Sequence, residues 1–298
     1  MRNALLALAL AAPASAQPVM LASVGMIADP AQRIAGGCVT VETLIGPGLD
    51  PHLYQARPSD IHRLRDADRI VALGLGLEGR LATVLERSGA AILGTAVDPA
   101  RLLTHGEGPD PHLWMDPALW ATAFPPLADA LATLAPDCAE AIATRRDVEI
   151  ARAETLDAWA RQSLATIPPG QRVLLSAHDA FSYFARAYGL ENAAIQGIST
   201  ESEPSIADID QTARLAAERG VPAVFIETTL NPRAVQALIE AARAHGHPLV
   251  IGGALHSDAL GEPGTLAGTW PGMIVANVTA ITEALGGAPA PVPDDLLP

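Results

Sequence analysis

Eight histidines occur in the sequence, and three of them stand where a strand-like run gives way to a loop or a helix. His52 follows the apolar run at residues 39–45, and His178 follows the run at residues 173–177. His112 directly precedes a predicted helix. In open α/β sheets ligands bind outside the carboxyl ends of the strands, so these side chains are expected to face one cleft. Imidazole nitrogens placed together in this way would bind a divalent transition metal.

A fourth ligand would come from the segment after the last predicted strand, where His256 and Asp258 are both available. None of the candidates belongs to a short H-x₃-H or C-x₂-C pattern, so spacing alone gives a weak signal. A single histidine in such a position is more often a surface or hydrogen-bonded structural residue. The shared location at strand ends is the feature that favours metal binding.

The elements that must position these side chains alternate along the chain, which predicts the α/β class with parallel sheets. Strands are predicted at residues 19–24, 39–45, 69–73, 91–93, 172–176, 193–195, 223–226 and 249–251. Helices are predicted at residues 29–35, 58–66, 77–88, 117–134, 180–188, 205–219, 232–245 and 270–285. Residues 137–165 carry no strand signal and end near Pro168-Pro169-Gly170, which predicts one long helix that joins two halves.

The expected organisation has four segments. They are a signal peptide at 1–16, an N-terminal α/β lobe at 17–136, a linker helix at 137–167 and a C-terminal α/β lobe at 168–298. The first segment has a charged start, a short apolar run and an Ala-Ser-Ala cleavage site, which predicts export to the periplasm. A chain of 298 residues with 49% hydrophobic and 17% charged residues is long and apolar enough for two cores.

The charge balance limits the partners of the chain. The formal net charge is −14, which argues against a nucleic-acid partner and against docking on anionic lipid. Self-repulsion of this size is expected to keep the protein monomeric.

Cys38 and Cys138 are the only cysteines. The first precedes a predicted strand and the second follows a predicted helix, so both would lie at the same edge of a β/α layer. An oxidising compartment permits a disulfide between them. Two inert buried thiols are the alternative.

Four stretches, in order along the chain, resemble the ligand motifs of a known family. The family is the metal-binding solute-binding proteins of bacterial ABC transporters, the zinc and manganese family with a rigid interdomain helix. The similar stretches are residues 48–60, 110–117, 176–184 and 257–261, with further likeness at 197–204 and 225–228. The similarity covers essentially the whole mature chain. It implies two (β/α) lobes with parallel sheets, one long connecting helix and a metal site in the cleft between the lobes.

The resemblance also implies a ligand set, with His52 and His112 from the N-terminal lobe and His178 and Asp258 from the other. Three imidazoles and one carboxylate suit tetrahedral Zn²⁺. In the family, manganese members tend to carry Glu at the third position, so His178 favours zinc. The implied function is high-affinity capture of Zn²⁺ as a bound solute and its delivery to an ABC transporter membrane permease, without catalysis.

Two alternatives stay open. One is capture of Mn²⁺ or Fe²⁺ within the same transport class, and the other is a periplasmic zinc-dependent hydrolase. A catalytic zinc keeps three protein ligands and a water molecule, so Asp258 distinguishes a hydrolase from a binding protein. The long His-rich loop of many zinc members is absent here, or reduced to His105. Metal would therefore arrive either free or from a separate periplasmic zinc chaperone.

Overall fold

Strands and helices alternate through the computed structural model, which describes residues 16–105 and 108–297. The strands are β1 (Val19–Val24), β2 (Thr40–Ile45), β3 (Arg69–Ala72), β4 (Ala91–Ile92), β5 (Thr104–His105), β6 (Gly108–Pro109), β7 (Val173–His178), β8 (Glu191–Gln196), β9 (Ala223–Glu227) and β10 (Val250–Leu255). The helices are α1 (Gly25–Ala35), α2 (Pro58–Asp66), α3 (Ala82–Arg87), α4 (Pro117–Trp120), α5 (Phe124–Leu134), α6 (Ala139–Leu164), α7 (Ser182–Tyr188), α8 (Ile206–Arg219), α9 (Arg233–Ala244) and α10 (Trp270–Ala284). The predicted signal peptide lies outside the described residues except for Ala16.

The N-terminal lobe, β1–β6 with α1–α5, is built on one parallel sheet with the strand order β2-β1-β3-β4. Its central strand β1 is almost entirely buried, because Met20, Leu21, Ala22 and Val24 face apolar neighbours on both sides. A strand that reads as a continuous apolar run is typical of a parallel sheet covered on both faces.

The C-terminal lobe, β7–β10 with α7–α10, contains two parallel strand pairs, β7 with β8 and β9 with β10. Strands β7 and β9 lie side by side, but their backbones do not form a ladder. Instead, the backbone N–H of His178 donates to Glu227 Oε1 at 2.8 Å, which joins the carboxyl ends of the two pairs. A side chain thus joins the two strand pairs where β7 and β9 lie side by side.

Helix α6 contains 26 residues and spans about 39 Å at 1.5 Å per residue. It packs against α1 and α5 of the N-terminal lobe and against α10 of the C-terminal lobe. Its buried residues join the larger core cluster, which extends from β1 to α10 and so passes through both lobes. Among residues 16–105 and 108–297, none of the helices combines the length and the apolar character that crossing a membrane requires.

The predicted helix at residues 117–134 is interrupted. Helix α4 ends at Trp120, a 3₁₀ turn occupies Ala121–Ala123, and α5 begins at Phe124. Pro125 and Pro126 have no backbone N–H, so they are tolerated in the first turn of a new helix but not within a continuous one.

Strand β10 extends beyond the predicted residues 249–251 because the glycines that follow them continue it. A Cβ at Gly252 would lie 2.8 Å from the Cβ of Ala284 and 2.9 Å from that of Ala223, so only glycine allows this close packing. The antiparallel pair β5–β6 was not predicted, since two-residue strands give no periodic signal.

Cys38 and Cys138 form a disulfide, with their Cα atoms 6.4 Å apart. The bridge joins the residues before β2 to the short turn before α6. Beside it, the Arg145 guanidinium donates to the carbonyl oxygens of Ile34 and Ala35, both at 2.8 Å, at the end of α1. The start of α6 is thus attached both to α1 and to the amino end of β2.

Candidate metal centre

Three histidines and one aspartate from separate segments converge between the lobes. One nitrogen or oxygen atom of each lies within 4.8 Å of the corresponding atoms of the other three. The group consists of His52, His112, His178 and Asp258. Each residue is buried, with no more than 1% of its surface exposed. The fold therefore brings together the four residues that the resemblance implied.

Each of the four follows an element that fixes its place. His52 lies in the turn after β2, and His112 lies between β6 and the 3₁₀ turn Leu113–Met115. His178 is the last residue of β7, and Asp258 lies in the loop after β10. Because the carboxyl ends of parallel strands share one edge of a sheet, residues far apart in sequence meet here.

All three imidazoles direct Nε2 toward the Asp258 carboxylate. The distances from Nε2 to the nearer carboxylate oxygen are 3.7 Å for His52, 3.2 Å for His112 and 3.1 Å for His178. The ring centroids of the three histidines are 5.7, 6.1 and 5.4 Å apart. The donor atoms thus surround a space of the size that one cation would need.

Two of the imidazoles are oriented by carboxylates on their Nδ1 side. Asp110 Oδ1 lies 2.7 Å from His112 Nδ1 and also accepts the backbone N–H of His112 at 2.9 Å. Glu227 Oε2 lies 2.5 Å from His178 Nδ1, while Oε1 holds the backbone N–H of that histidine. Such carboxylates keep a proton on Nδ1 and leave the lone pair of Nε2 for a metal.

His52 is positioned through its backbone. Neither of its ring nitrogens has a hydrogen-bond partner among the described residues. Its backbone N–H donates to Asp50 Oδ1 at 2.8 Å. Gly79 lies so close behind it that a Cβ at that position would clash with the His52 carbonyl oxygen.

Burial and the facing carboxylates set the charge of the centre. Burial lowers the pKa of His52 to about 4 in spite of the Asp258 carboxylate. Burial also acts to lower the pKa of His112, but the adjacent carboxylates outweigh it and raise this pKa to about 9. Burial acts to lower the pKa of His178 as well, but the Glu227 and Asp258 carboxylates outweigh it and raise this pKa well above its usual value. Burial acts to raise the pKa of Asp258, but the two imidazolium groups hold it well below its usual value.

The converging atoms lack hydrogen-bond partners. Nε2 of each histidine and both carboxylate oxygens of Asp258 are buried and form no hydrogen bond of regular geometry among the described residues, although they lie 3.1–3.7 Å apart as ionic contacts. Buried polar atoms are nearly always paired, because leaving them unpaired costs free energy. A divalent cation would satisfy all of them at once, and three imidazoles with one carboxylate form a tetrahedral donor set.

His256, the rival for the fourth position, is not in the group. Its backbone N–H donates to Asn277 Oδ1 at 2.9 Å, and its carbonyl oxygen accepts from the Asn277 amide at 2.8 Å. Its ring Nδ1 lies 3.4 Å from Thr228 Oγ1. The two backbone contacts with Asn277 hold the loop from which Asp258 extends, and they do not involve the imidazole. His105 lies in β5.

Sequence reasoning missed the turn that supports His52. The buried Glu78 carboxylate accepts a hydrogen bond from Ser23 Oγ at 2.7 Å and from the backbone N–H groups of Leu73 and Gly74 at 2.7 and 3.0 Å. It thereby fixes the loop that places Gly79 against His52. A glutamate among the three glycines of residues 74–79 was the available signal, because such a carboxylate can accept hydrogen bonds from several backbone N–H groups.

Residues 20–284 match the family model described as "Zinc-uptake complex component A periplasmic", or ZnuA. The chain belongs to the ZnuA family. This membership makes it a metal-binding component of an ABC metal-uptake system rather than an enzyme, so the expectation of binding without catalysis is confirmed. The alternative of a zinc-dependent hydrolase is therefore wrong.

Similar proteins are named for different metals. The manganese-binding lipoprotein MntA of Bacillus subtilis is 38% identical, over 91% of this chain and 91% of its own length. The solved structure of the periplasmic zinc-binding protein TroA from Treponema pallidum has a TM-score of 0.88 at 38% identity and covers 90% of this chain and 99% of that one. Fe(III)-bound YtgA from Chlamydia trachomatis has a TM-score of 0.85 at 29% identity, with 92% and 100% covered.

The ZnuA-family match and these structures confirm the predicted fold class, two α/β lobes with parallel sheets and one long helix. Members of the ZnuA family act outside the cytoplasmic membrane, as the descriptions "periplasmic" and "lipoprotein" state. The residue limits predicted for the four segments stay a prediction.

Proposed function

We propose that this protein captures Zn²⁺ in the periplasm and delivers it to an ABC transporter membrane permease. The ligands in this proposal are His52, His112, His178 and Asp258. The observation that carries it is the set of buried, unpartnered donor atoms that face one another between the lobes. Four protein ligands complete a tetrahedral shell, as expected for a site that holds an ion rather than one that activates water.

The donor set favours zinc over manganese. Three imidazole nitrogens and one carboxylate are borderline ligands suited to Zn²⁺, whereas Mn²⁺ prefers a site richer in oxygen. The relative TroA is named as zinc-binding, which agrees with this preference. MntA is named as manganese-binding, so capture of Mn²⁺ or Fe²⁺ by the same four residues is the second candidate.

The remaining parts of the proposal concern delivery. The predicted signal peptide and the family's extracytoplasmic location support a periplasmic site of action. The net charge of −14 supports a monomer that meets its permease only transiently. Metal would reach the site either free or from a periplasmic zinc chaperone. To distinguish these routes, zinc transfer from a loaded donor protein is compared with a diffusion-only control. Faster transfer from the donor would support the chaperone.

Metal analysis of the purified protein tests the proposal. Protein isolated from the periplasm should contain equimolar zinc, and the His178→Ala variant should contain almost none. The His256→Ala variant is the matched control, because that side chain is outside the group, and it should keep its zinc. Equimolar manganese or iron in the unaltered protein would favour the second candidate. Metal retained by the His178→Ala variant would contradict the ligand assignment.

A further inference from the structure

The chain uses two Asp-Pro-His motifs in different ways. In the second motif, Asp110 Oδ1 contacts both the backbone N–H and Nδ1 of His112, so this carboxylate oxygen holds the histidine at two points. In the first motif, Asp50 Oδ1 accepts only the backbone N–H of His52. Its other oxygen, Oδ2, accepts a hydrogen bond of 2.6 Å from the hydroxyl of Thr200, which belongs to the C-terminal lobe. This bond therefore crosses the cleft.

The segments of His112 and Asp258 are held by hydrogen bonds on the buried side of the cleft, and His178 is held within its own lobe by Glu227. Trp114 Nε1 donates to the carbonyl oxygen of Ser257 at 2.9 Å, which ties the segment of His112 to that of Asp258. The hydroxyl of Tyr183 donates to the carbonyl oxygen of Asp110 at 2.9 Å, again from one lobe to the other. These bonds run between fully buried side chains and backbone, so this side of the cleft is fixed.

His52 has none of these supports. Its ring nitrogens form no hydrogen bond among the described residues, and its backbone is tied to the C-terminal lobe through Asp50 and Thr200. Close by, Arg80 Nε lies 3.8 Å from Glu201 Oε1, an exposed ion pair between the same two lobes. Next to it lies a cavity of about 100 Å³ lined by Leu75 and Gly76 of the N-terminal lobe and by Ile198 and Ser199 of the other. The two lining residues of the C-terminal lobe immediately precede Thr200 in sequence.

We propose that the Thr200 hydroxyl is a cross-cleft latch that positions His52 and slows the release of the metal ion. When the bond to Asp50 forms, it draws the His52 loop toward the C-terminal lobe. It also keeps the two lobes close together on either side of the adjacent cavity. When it breaks, His52 is the ligand that withdraws, because the other three remain held on the buried side. Thr200 is thus a positioning residue, and this role rests on the zinc-binding function proposed above.

The size of the effect follows from the kind of bond. Asp50 is half-buried, and a hydroxyl that donates to its carboxylate makes a charge-assisted hydrogen bond. Losing such a bond typically changes an equilibrium or a rate by on the order of tenfold. Valine matches threonine in shape but lacks the hydroxyl. Serine keeps the hydroxyl and loses only a methyl group.

The test measures zinc dissociation by mixing zinc-loaded protein with an excess of chelator in a stopped-flow instrument. The Thr200→Val variant should bind equimolar zinc and release it about tenfold faster, whereas Thr200→Ser should stay close to the unaltered protein. Thr212→Val is the matched control: its hydroxyl bonds only to the Asp208 carbonyl oxygen on α8, so its release rate should not change. Thr200→Val with an unchanged release rate would overturn the latch.

A double-mutant comparison separates the latch from a general loss of structure. If Thr200 acts through Asp50, Thr200→Val should add no further acceleration when Asp50 is already alanine. Independent, additive effects of the two substitutions would overturn the inference even if each accelerates release. Failure of the unaltered protein to bind zinc at all would instead contradict the proposed function, so the two failures are distinguishable.

Discussion

His178 and Asp258 face each other with 3.1 Å between Nε2 and Oδ2, and Glu227 contacts the opposite nitrogen of the same ring at 2.5 Å. The imidazole is therefore placed between two buried carboxylates. In the metal-free protein this arrangement favours the imidazolium, which is why the pKa of His178 is raised in spite of burial. A divalent cation can replace the proton on Nε2, while the contact on Nδ1 keeps the ring in the orientation for binding.

The first prediction concerns this second carboxylate. Glu227→Gln keeps the length of the side chain and can still accept the backbone N–H of His178, but it removes the negative charge beside Nδ1. We expect zinc affinity, measured by competition with a chelator, to fall about 10- to 100-fold. Glu191→Gln changes an exposed pair with Arg219 and should leave affinity unaltered. Equal affinities for the two variants would contradict the role assigned to Glu227.

The second prediction is that zinc binding weakens as the pH falls. With pKa values of about 9 for His112 and well above the usual range for His178, both imidazoles carry protons at neutral pH and must lose them to bind metal. His52, with a pKa of about 4, contributes no proton above pH 5. The apparent association constant should therefore fall by up to about two orders of magnitude for each unit of pH below 9.

Calorimetry in buffers with different ionisation enthalpies measures this proton release directly. Near pH 7 we expect close to two protons to leave for each zinc ion bound, one from each of the two imidazolium groups. A heat of binding that does not depend on the buffer would show that the centre is already neutral, and would contradict the charge states derived from its geometry.

The sequence predicted most elements from local patterns, whereas the full set of four candidate ligands was implied only by the resemblance to the family. Alternating strands and helices identify the class, and the position of each candidate at a strand end predicts that they meet. The break at Pro125 and Pro126 could have been read from proline chemistry. The bond from Thr200 to Asp50 could not, because it depends on how closely the two lobes approach, and that is set by packing on α6 and α10.

The third prediction concerns the disulfide between Cys38 and Cys138, which closes a loop of 100 residues. In the chain-entropy model, a bridge over a loop of this length stabilises the folded state by about 4–5 kcal/mol. Replacing both cysteines by serine should lower the free energy of unfolding in urea by an amount of this order. Zinc affinity should stay unchanged, because Cys38 lies at the amino end of β2 and the metal centre lies beyond the carboxyl end. A loss of affinity with unchanged stability would contradict this separation.

The last prediction tests the support behind His52. Gly79 has a positive φ of 41°, and a methyl group there would clash with the His52 carbonyl oxygen. Gly79→Ala should therefore push the His52 turn out of place and lower zinc affinity by at least about tenfold, because a metal ligand displaced by a fraction of an ångström loses its geometry. Chelator competition measures this change.

Gly46→Ala is the matched control for that substitution. Gly46 lies directly after β2, at the start of the loop that carries His52, and an added Cβ would meet no atom within 4 Å. Its backbone does not have the positive φ that favours glycine, so alanine should fit without strain. If Gly46→Ala weakened binding as much as Gly79→Ala, the loss would reflect stiffening of the loop in general. A loss confined to Gly79→Ala would show that His52 is held in the metal centre from behind, by contact with a residue that must have no side chain.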